Sequence, residues 1–362
     1  MIPEYELVLE LCKFLEPNKK KIENLMESGI DYPLVLGHLL CNRMGAVAYY
    51  TLKECELLGK VNREFRNTLK SIYDADNEKV ESFNEALKMI CCILEKADFP
   101  YALLKGAYLS AIYPKGLRTS NDIDILIEPE NITLLYKLLE SNGFKQGHIR
   151  NGEFIPASQT KVLNSRINRG ETVTFVKRVN LPKMEFCELD INFSVDFKAK
   201  QETNVVSMLL ENRQQLINNT IQTLNPVDFL IHLCVHLFKE ATVMAWVEMG
   251  GDLSLYKFCD IHLLTNNENN DEYFAELEKR INELGLAKEC YYAFAYTQKL
   301  FNIRSERFFK LIMSIMPENV KYLHEIIDPT QNKTFRYNDD FIDFIFYKNR
   351  KECLYEITDA TS

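Results

Sequence analysis

The sequence predicts a three-part chain, with a central domain of α/β or α+β class between two helical regions. Between residues 101 and 193, short extended runs alternate with amphipathic ones, the pattern of strands separated by helices. The stretches before and after this centre carry apolar residues at helical spacing, punctuated by Pro and by capping residues. The length, 362 residues, exceeds one ordinary core and calls for two or three folded units. The expected divisions are a helical region at 1–97, a central domain at 98–200 and a helical lobe at 201–362.

In the first region, Tyr5, Leu7, Val8, Leu11 and Leu15 recur on one helical face, and Pro17-Asn18 ends the pattern. Asp31-Tyr32-Pro33 opens another helix, with Pro in the first turn. The positions Leu69, Ile72, Tyr73, Val80, Phe83, Leu87 and Ile90 suit one long helix from about Arg63 to Lys96, closed by Ala97-Asp98-Phe99-Pro100. In the centre, Tyr101-Ala-Leu-Leu104 reads as a buried strand, and Ala107–Tyr113 as a short helix stopped by Pro114 and Gly116. Asp122-Ile-Asp-Ile-Leu-Ile-Glu128 alternates and then turns apolar, as a half-buried strand does. Pro129 begins a helix to Asn142, with Gly143 at its C-terminal cap. Further strands are expected from Phe144, at Thr172–Val179 and at Met184–Phe193. In the last region, helices are expected over 228–238, 253–264, 274–284 and 286–301, with Asp228 capping the first. The final ten residues are expected to be disordered.

Composition excludes several classes. No apolar run approaches the roughly 18 residues that a membrane span requires. The acidic, amphipathic start lacks the features of a signal peptide, which predicts a cytoplasmic protein without membrane partners. The ten cysteines form no C-x-x-C pair, so they are expected to be apolar filling. A formal charge of −9 disfavours nucleic acid as a partner, although residues 101–200 carry 14 Lys and Arg against 11 Asp and Glu. That excess concentrates in 145–183, where Arg166, Arg169, Lys177 and Arg178 are expected to line one rim of a cleft.

The chemistry-bearing pattern is a strand, the turn Lys105-Gly106-Ala107, a short helix, and then Asp122-x-Asp124 on a second strand. Alternate strand residues share a face, so Asp122 and Asp124 point the same way, about 7 Å apart. Two carboxylates aimed at one point need a cation between them, and hard oxygen donors suit Mg2+ or Mn2+. A third carboxylate is sought on Glu188-Leu-Asp-Ile-Asn192, where Asp190 is chosen for its mid-strand position and Glu188 is its substitute. Lys105, Gly106, Ala107 and Arg118 are the expected contacts for a triphosphate: a helix start, a glycine admitting close backbone approach, and two cations. His232 and His236 share a helix face, but no third ligand accompanies them, so a packed pair is expected rather than zinc. Lys257 and Asp260 are read as a local ion pair.

The run Leu103-Leu-Lys-Gly-Ala107, Tyr113-Pro114, Arg118 and Asp122-Ile-Asp-Ile-Leu-Ile127 resembles the uncharacterised bacterial nucleotidyltransferases of the DNA polymerase β superfamily. Pro226–His236 and Leu255–Ile261 resemble the helices that follow the catalytic domain there. The resemblance implies an α+β fold, a mixed sheet with helices on one side, and metal ions held by Asp122, Asp124 and Asp190. It also implies transfer of a nucleoside monophosphate from an NTP co-substrate with release of pyrophosphate, to a peptide or small-molecule acceptor. Ala107 stands where the family pattern carries serine, and Asn192 where relatives often carry histidine. Two alternatives accompany this reading: a toxin-like enzyme acting on RNA or protein, and an inactive module that binds a nucleotide or peptide.

Overall fold

The computed structural model describes residues 1–169, 171–195, 204–217, 220–267 and 270–357. These divide into two compact units: one of residues 1–71 and 230–362, the other of residues 72–229. The first unit opens with α1 (Pro3–Cys12), α2 (Lys19–Met26), α3 (Tyr32–Cys41) and α4 (Gly45–Glu54). The Asp31 carboxylate accepts from the Leu34 amide, so Asp31 caps α3, and Pro33 sits in the first turn as the sequence led us to expect. Helix α5 (Arg63–Leu94) is amphipathic throughout its 32 residues.

The second unit is built on a mixed sheet. Its elements are β1 (Tyr101–Leu103), α6 (Gly106–Ile112), β2 (Asp122–Ile127), α7 (Ile132–Ser141), β3 (Lys145–Arg150), β4 (Glu153–Pro156), α8 (Gln159–Arg169), β5 (Phe175–Leu181), β6 (Met184–Asn192), α9 (Val205–Glu211), β7 (Gln214–Leu216) and β8 (Ile221–Thr223). The strand order among the described residues is β4-β3-β5-β6-β2-β1-β8-β7. Strands β2 and β6 run parallel, as do β1 and β8, and the other neighbours are antiparallel. This is the α+β mixed sheet that the sequence predicts. Its apolar face carries Ile123, Ile125 and Ile127 of β2, with Cys187, Leu189 and Ile191 of β6. That face packs in one core with Phe83, Leu87 and Ile90 of α5 and with Leu135 and Leu139 of α7. Period-two alternation therefore sends Asp122 and Asp124 of β2, and Glu188, Asp190 and Asn192 of β6, to the opposite face.

The chain returns to the first unit within α10 (Pro226–Ala241), followed by α11 (Met244–Met249), α12 (Leu255–Asn267), α13 (Asp271–Leu284), α14 (Ala287–Phe301) and α15 (Glu306–Ser314). The cap of α10 differs from expectation. The Asn225 side chain accepts from the Asp228 amide at 3.0 Å and donates to the Asp228 carboxylate at 2.8 Å. Asn225 is thus the cap and Asp228 the reciprocal partner three residues on. Lys257 also differs: its ammonium lies 2.6 Å from the Glu240 carboxylate, and the backbone carbonyls of Gly251 and Asp252 accept from it. Burial selects this longer-range set over a local pair, because a lysine so enclosed must fill all of its donor sites.

Beyond the helices stands an antiparallel sheet of β9 (Glu325–Asp328), β10 (Lys333–Arg336) and β11 (Tyr355–Glu356), with α16 (Phe341–Phe346) between the last two strands. The described part of the final ten residues therefore includes a paired strand rather than a disordered tail; residues 358–362 lie outside the described residues. None of the ten cysteines is in a disulfide; Cys12, Cys55, Cys187, Cys234, Cys259 and Cys290 are buried, as apolar filling requires. No helix among the described residues is long and apolar enough to cross a membrane.

Candidate active site

The polar face of the second unit's sheet collects the carboxylates. Parallel pairing of β2 with β6 sets Asp122 beside Glu188, Asp124 beside Asp190 and Leu126 beside Asn192. Neighbouring strands lie about 4.8 Å apart, so Asp124 and Asp190 are side-by-side neighbours on one face. Asp124 is 4% exposed, and the Lys105 ammonium lies 2.9 Å from its Oδ1. The Asn192 amide donates to the same oxygen at 3.3 Å. Asp190 accepts from the Thr174 hydroxyl at 2.7 Å. Burial, and then the charges of Asp124 and Asp122, push the Asp190 carboxyl up to about 7, against a weaker pull downward from Thr174 and Lys105. Glu188 is raised too, first by burial and then by Asp122.

The turn before α6 holds Lys105 in an unusual backbone state, φ +41° and ψ −111°. A residue with a β-carbon pays steric strain for a positive φ, of order 1–3 kcal/mol. The strain swings the chain from β1 into α6 and leaves the Lys105 side chain reaching Asp124. Gly106 is required by packing. A β-carbon there would lie 2.5 Å from the Ser120 Cβ and 2.7 Å from its Oγ. Ser120 in turn donates its hydroxyl to Asp122 Oδ1 at 3.0 Å. Gly106→Ala is therefore expected to cost about 1–3 kcal/mol through overpacking. Ser120→Gly in the same chain should return part of that loss, read as urea midpoints in a double-mutant cycle; strict additivity of the two would contradict the contact.

The structure places the remaining sequence-derived residues unevenly. Ala107 is fully buried in the core, and its amide donates to the Leu104 carbonyl at 3.1 Å. Arg118 is half-buried in the loop before β2, its guanidinium donating to the Thr119 carbonyl. Lys177 does not join the carboxylates. Strand alternation turns it with Phe175 to the helical face, its ammonium 3.8 Å from Met89 Sδ and 5.6 Å from the centre of the Phe144 ring. Arg178 shares the carboxylate face through its pairing with Phe186, but lies roughly 13 Å along the strand from Thr174. It pairs there with Glu185 at 3.2 Å. The side chains of Arg166 and Arg169 lie outside the described residues. Ser120 and Thr174 were not anticipated, although each falls on the same alternation as the carboxylate it serves.

The donor set is all oxygen and anionic: Asp122, Asp124, Asp190 and Glu188, with Lys105 beside them. Such a set fits a hard divalent cation. Among the described residues, no three acidic, cysteine or histidine side chains are already gathered to hold an ion. The Lys105 ammonium instead neutralises Asp124, and the Thr174 hydroxyl holds Asp190.

Comparison with known proteins supplies a family. No curated protein matches the chain. A solved structure, an antigenic nucleotidyltransferase-like protein from Paracoccidioides brasiliensis, is similar at 14% identity and a TM-score of 0.34, covering 56% of this chain and 88% of that one. The profile of a family described as uncharacterised nucleotidyltransferase matches residues 35–302, which take in the sheet, the carboxylate face and helices of both units. The chain belongs to that uncharacterised nucleotidyltransferase family.

Proposed function

We propose that this protein is a metal-dependent nucleotidyltransferase of the DNA polymerase β superfamily, transferring a nucleoside monophosphate from an NTP to an acceptor oxygen on a peptide or small molecule. The observation that carries this reading is the register of β2 with β6, which lays Asp124 beside Asp190 and Asp122 beside Glu188 on one polar face. Asp122, Asp124 and Asp190 would hold Mg2+ or Mn2+, with Glu188 beside them. A bound cation would neutralise these carboxylates and stabilise charge on the phosphate oxygens.

The chain's own groups have separate tasks. Lys105, strained at its backbone and paired with Asp124, would exchange part of that pairing for a phosphate oxygen of the NTP. Arg118 would add a second cation from the loop before β2. The Gly106–Ala107 turn at the start of α6 would let the backbone approach the triphosphate. Asp190, beside Asp124 on the polar face, would also take the proton from the acceptor hydroxyl. The acceptor oxygen then bonds to the α-phosphorus, the bond from that phosphorus to the bridging oxygen breaks, and pyrophosphate leaves. Catalysis of this kind is mostly positioning and charge neutralisation.

A second reading, an inactive nucleotide- or peptide-binding module, draws on a specific feature. Lys105 and Asn192 together satisfy Asp124 from within the chain, and Ala107 offers no hydroxyl. Incubation with each labelled NTP and a metabolite and peptide extract, with and without Mg2+, separates the two. Label in a peptide or small molecule supports transfer to that class; label in RNA or a large protein favours the toxin-like alternative. Binding without product supports the inactive module.

Lys105→Ala is expected to weaken NTP binding about 10–100-fold by calorimetric titration, the scale of one lost charge-assisted contact. Its effect on the urea midpoint should be smaller, since Asn192 still donates to Asp124. An unchanged NTP affinity would confine Lys105 to a structural role.

A further inference from the structure

A row of residues crosses the polar face of the second unit's sheet, on the side of Asp190 away from Lys105. Antiparallel pairing of β3 with β5 sets Lys145 against Val176 and Gln146 against Phe175, and the Gly147 amide donates to the Thr174 carbonyl at 3.0 Å. Pairing of β5 with β6 sets Phe175 against Leu189, so Thr174 stands opposite Asp190, whose carboxylate accepts from its hydroxyl at 2.7 Å. Asp190 stands in turn beside Asp124. Residues opposed across paired strands share a face. Gly147, Thr174, Asp190 and Asp124 therefore form one continuous row on the carboxylate face.

The row has a floor without side-chain bulk and an aromatic ring at its far end. Gly147 has no side chain, and the short Thr174 side chain is folded onto Asp190. Phe154 of β4 pairs with Ile149, two residues along from Gly147, and so belongs to the same face. Its ring leans back over Gly147: Cε2 and Cζ lie 2.5 and 2.7 Å from where a β-carbon on Gly147 would stand. Gly147→Ala would push the ring aside, so glycine is the packing condition for its place. Phe154 and Ile149 are half-buried, which leaves part of this apolar patch open. Two strand spacings, roughly 10 Å, separate Gly147 from Asp190.

The geometry of displacement decides what approaches from this side. In nucleotidyl transfer the attacking and leaving oxygens lie in line through the α-phosphorus. Lys105 and the start of α6 follow β1, and β1 flanks β2 on the side opposite β6. A triphosphate held there sends its pyrophosphate toward β1. The attacking hydroxyl must then come from the other side, over β6 and β5, where Asp190 would take its proton. The rest of the acceptor extends along the row, over Thr174 and Gly147, to the Phe154 ring. A planar apolar group gains most from such a ring, by stacking and by leaving water.

We propose that the acceptor is a hydroxyl compound carrying an aromatic or other planar apolar group roughly 5–10 Å from the hydroxyl, packed on Phe154 in the trough floored by Gly147 and Thr174. Phe154 is then a specificity-determining residue of the acceptor subsite. The proposal rests on the nucleotidyl-transfer reading and on the placement of the phosphates at Lys105. It adds to that reading a side of the sheet for the acceptor and a chemical class for the part of it that does not react.

The test uses the full chain with Mg2+ and an NTP analogue whose α–β bridge is a methylene group, so that binding is read without turnover. The probes are 4-phenylbutan-1-ol and butan-1-ol, which differ by the ring alone. Ligand-observed NMR gives the affinity for each alcohol, calorimetry the affinity for the analogue, and thermal unfolding the state of the fold. The expected result is that the wild type binds the phenyl alcohol about tenfold more tightly than butanol, and that Phe154→Ala reduces this preference to about twofold with the analogue affinity unchanged. Phe154→Leu fills the same space without a ring, which keeps the hairpin packed; it should lose about threefold of the preference. Equal affinity of the wild type for the two alcohols, or a preference that persists in both variants, would overturn the subsite. A loss that falls on the analogue instead of the phenyl alcohol would make Phe154 a platform for the nucleobase and overturn the acceptor assignment. The transfer reading keeps its own readout in the labelled-NTP incubation: no labelled product there, with ring-dependent binding intact, would overturn the reaction and not the trough.

Discussion

Asp124→Asn is expected to lower turnover by about three orders of magnitude while leaving the fold intact. Asparagine keeps the shape of the side chain and can still accept from Lys105 and Asn192, so the local packing around this 4% exposed position should persist. What it loses is a full negative charge at the centre of the carboxylate face. Pyrophosphate release from the preferred NTP, with Mg2+ and the acceptor extract, gives the activity; thermal unfolding gives the fold. The substitution also relieves repulsion between neighbours, since Asp124 is the largest like-charge influence on Asp190. The lost charge pairing with Lys105 opposes that relief, so the variant should stay folded with a stability near that of the wild type even as activity collapses. Turnover near that of the wild type would remove Asp124 from the reaction and leave the binding-module reading.

The largest stability effect is expected at Arg350→Ala, about 3–5 kcal/mol, because it strands a buried charge. Asp252 is fully buried, and the Arg350 guanidinium meets it with two nitrogens, Nε at 2.7 Å from Oδ2 and Nη2 on Oδ1. The remaining nitrogen donates to the carbonyls of Ile345 and Tyr347 at 3.1 and 3.4 Å. A planar guanidinium can meet all of these partners at once; the compact ammonium of lysine cannot. Arg350→Lys is thus expected to recover only part of the loss, and Asp252→Asn added to Arg350→Ala to recover more, by removing the stranded charge. Denaturant unfolding curves check all three. An Arg350→Ala variant within 1 kcal/mol of wild type would mean that water reaches Asp252 and that the pair is not a buried one.

Much of the central domain was legible because its signals are local. Strand alternation put Asp122 and Asp124 on one face, and the same alternation placed Glu188, Asp190 and Asn192 together. Pro100, Gly106, Pro114 and Pro129 marked element ends that the structure respects to within a residue or two. The misses came where partners are distant in sequence or where a short segment lacks periodicity. Helix α8, strand β4 and the β7–β8 pair carry few apolar residues, and pairing with neighbours or packing defines them. Lys177 was assigned to a rim by charge alone, although its position beside Phe175 on the alternation already turned it to the helical face. The row of Gly147, Thr174, Asp190 and Asp124 draws on separate strands, a grouping that no window of sequence contains.

The sequence by itself determined the kinds of element, the shared face of Asp122 and Asp124, and the resemblance to nucleotidyltransferases, because period, capping and short motifs are properties of neighbouring residues. Only the tertiary structure decided that β6 lies beside β2 in parallel, with Asp190 next to Asp124 and Glu188 next to Asp122. It alone decided that Lys105 is the cation facing Asp124, and that Ser120 fills the space left by Gly106. Strand order and register depend on how faces bury against helices far along the chain, and burial is a property of the whole fold.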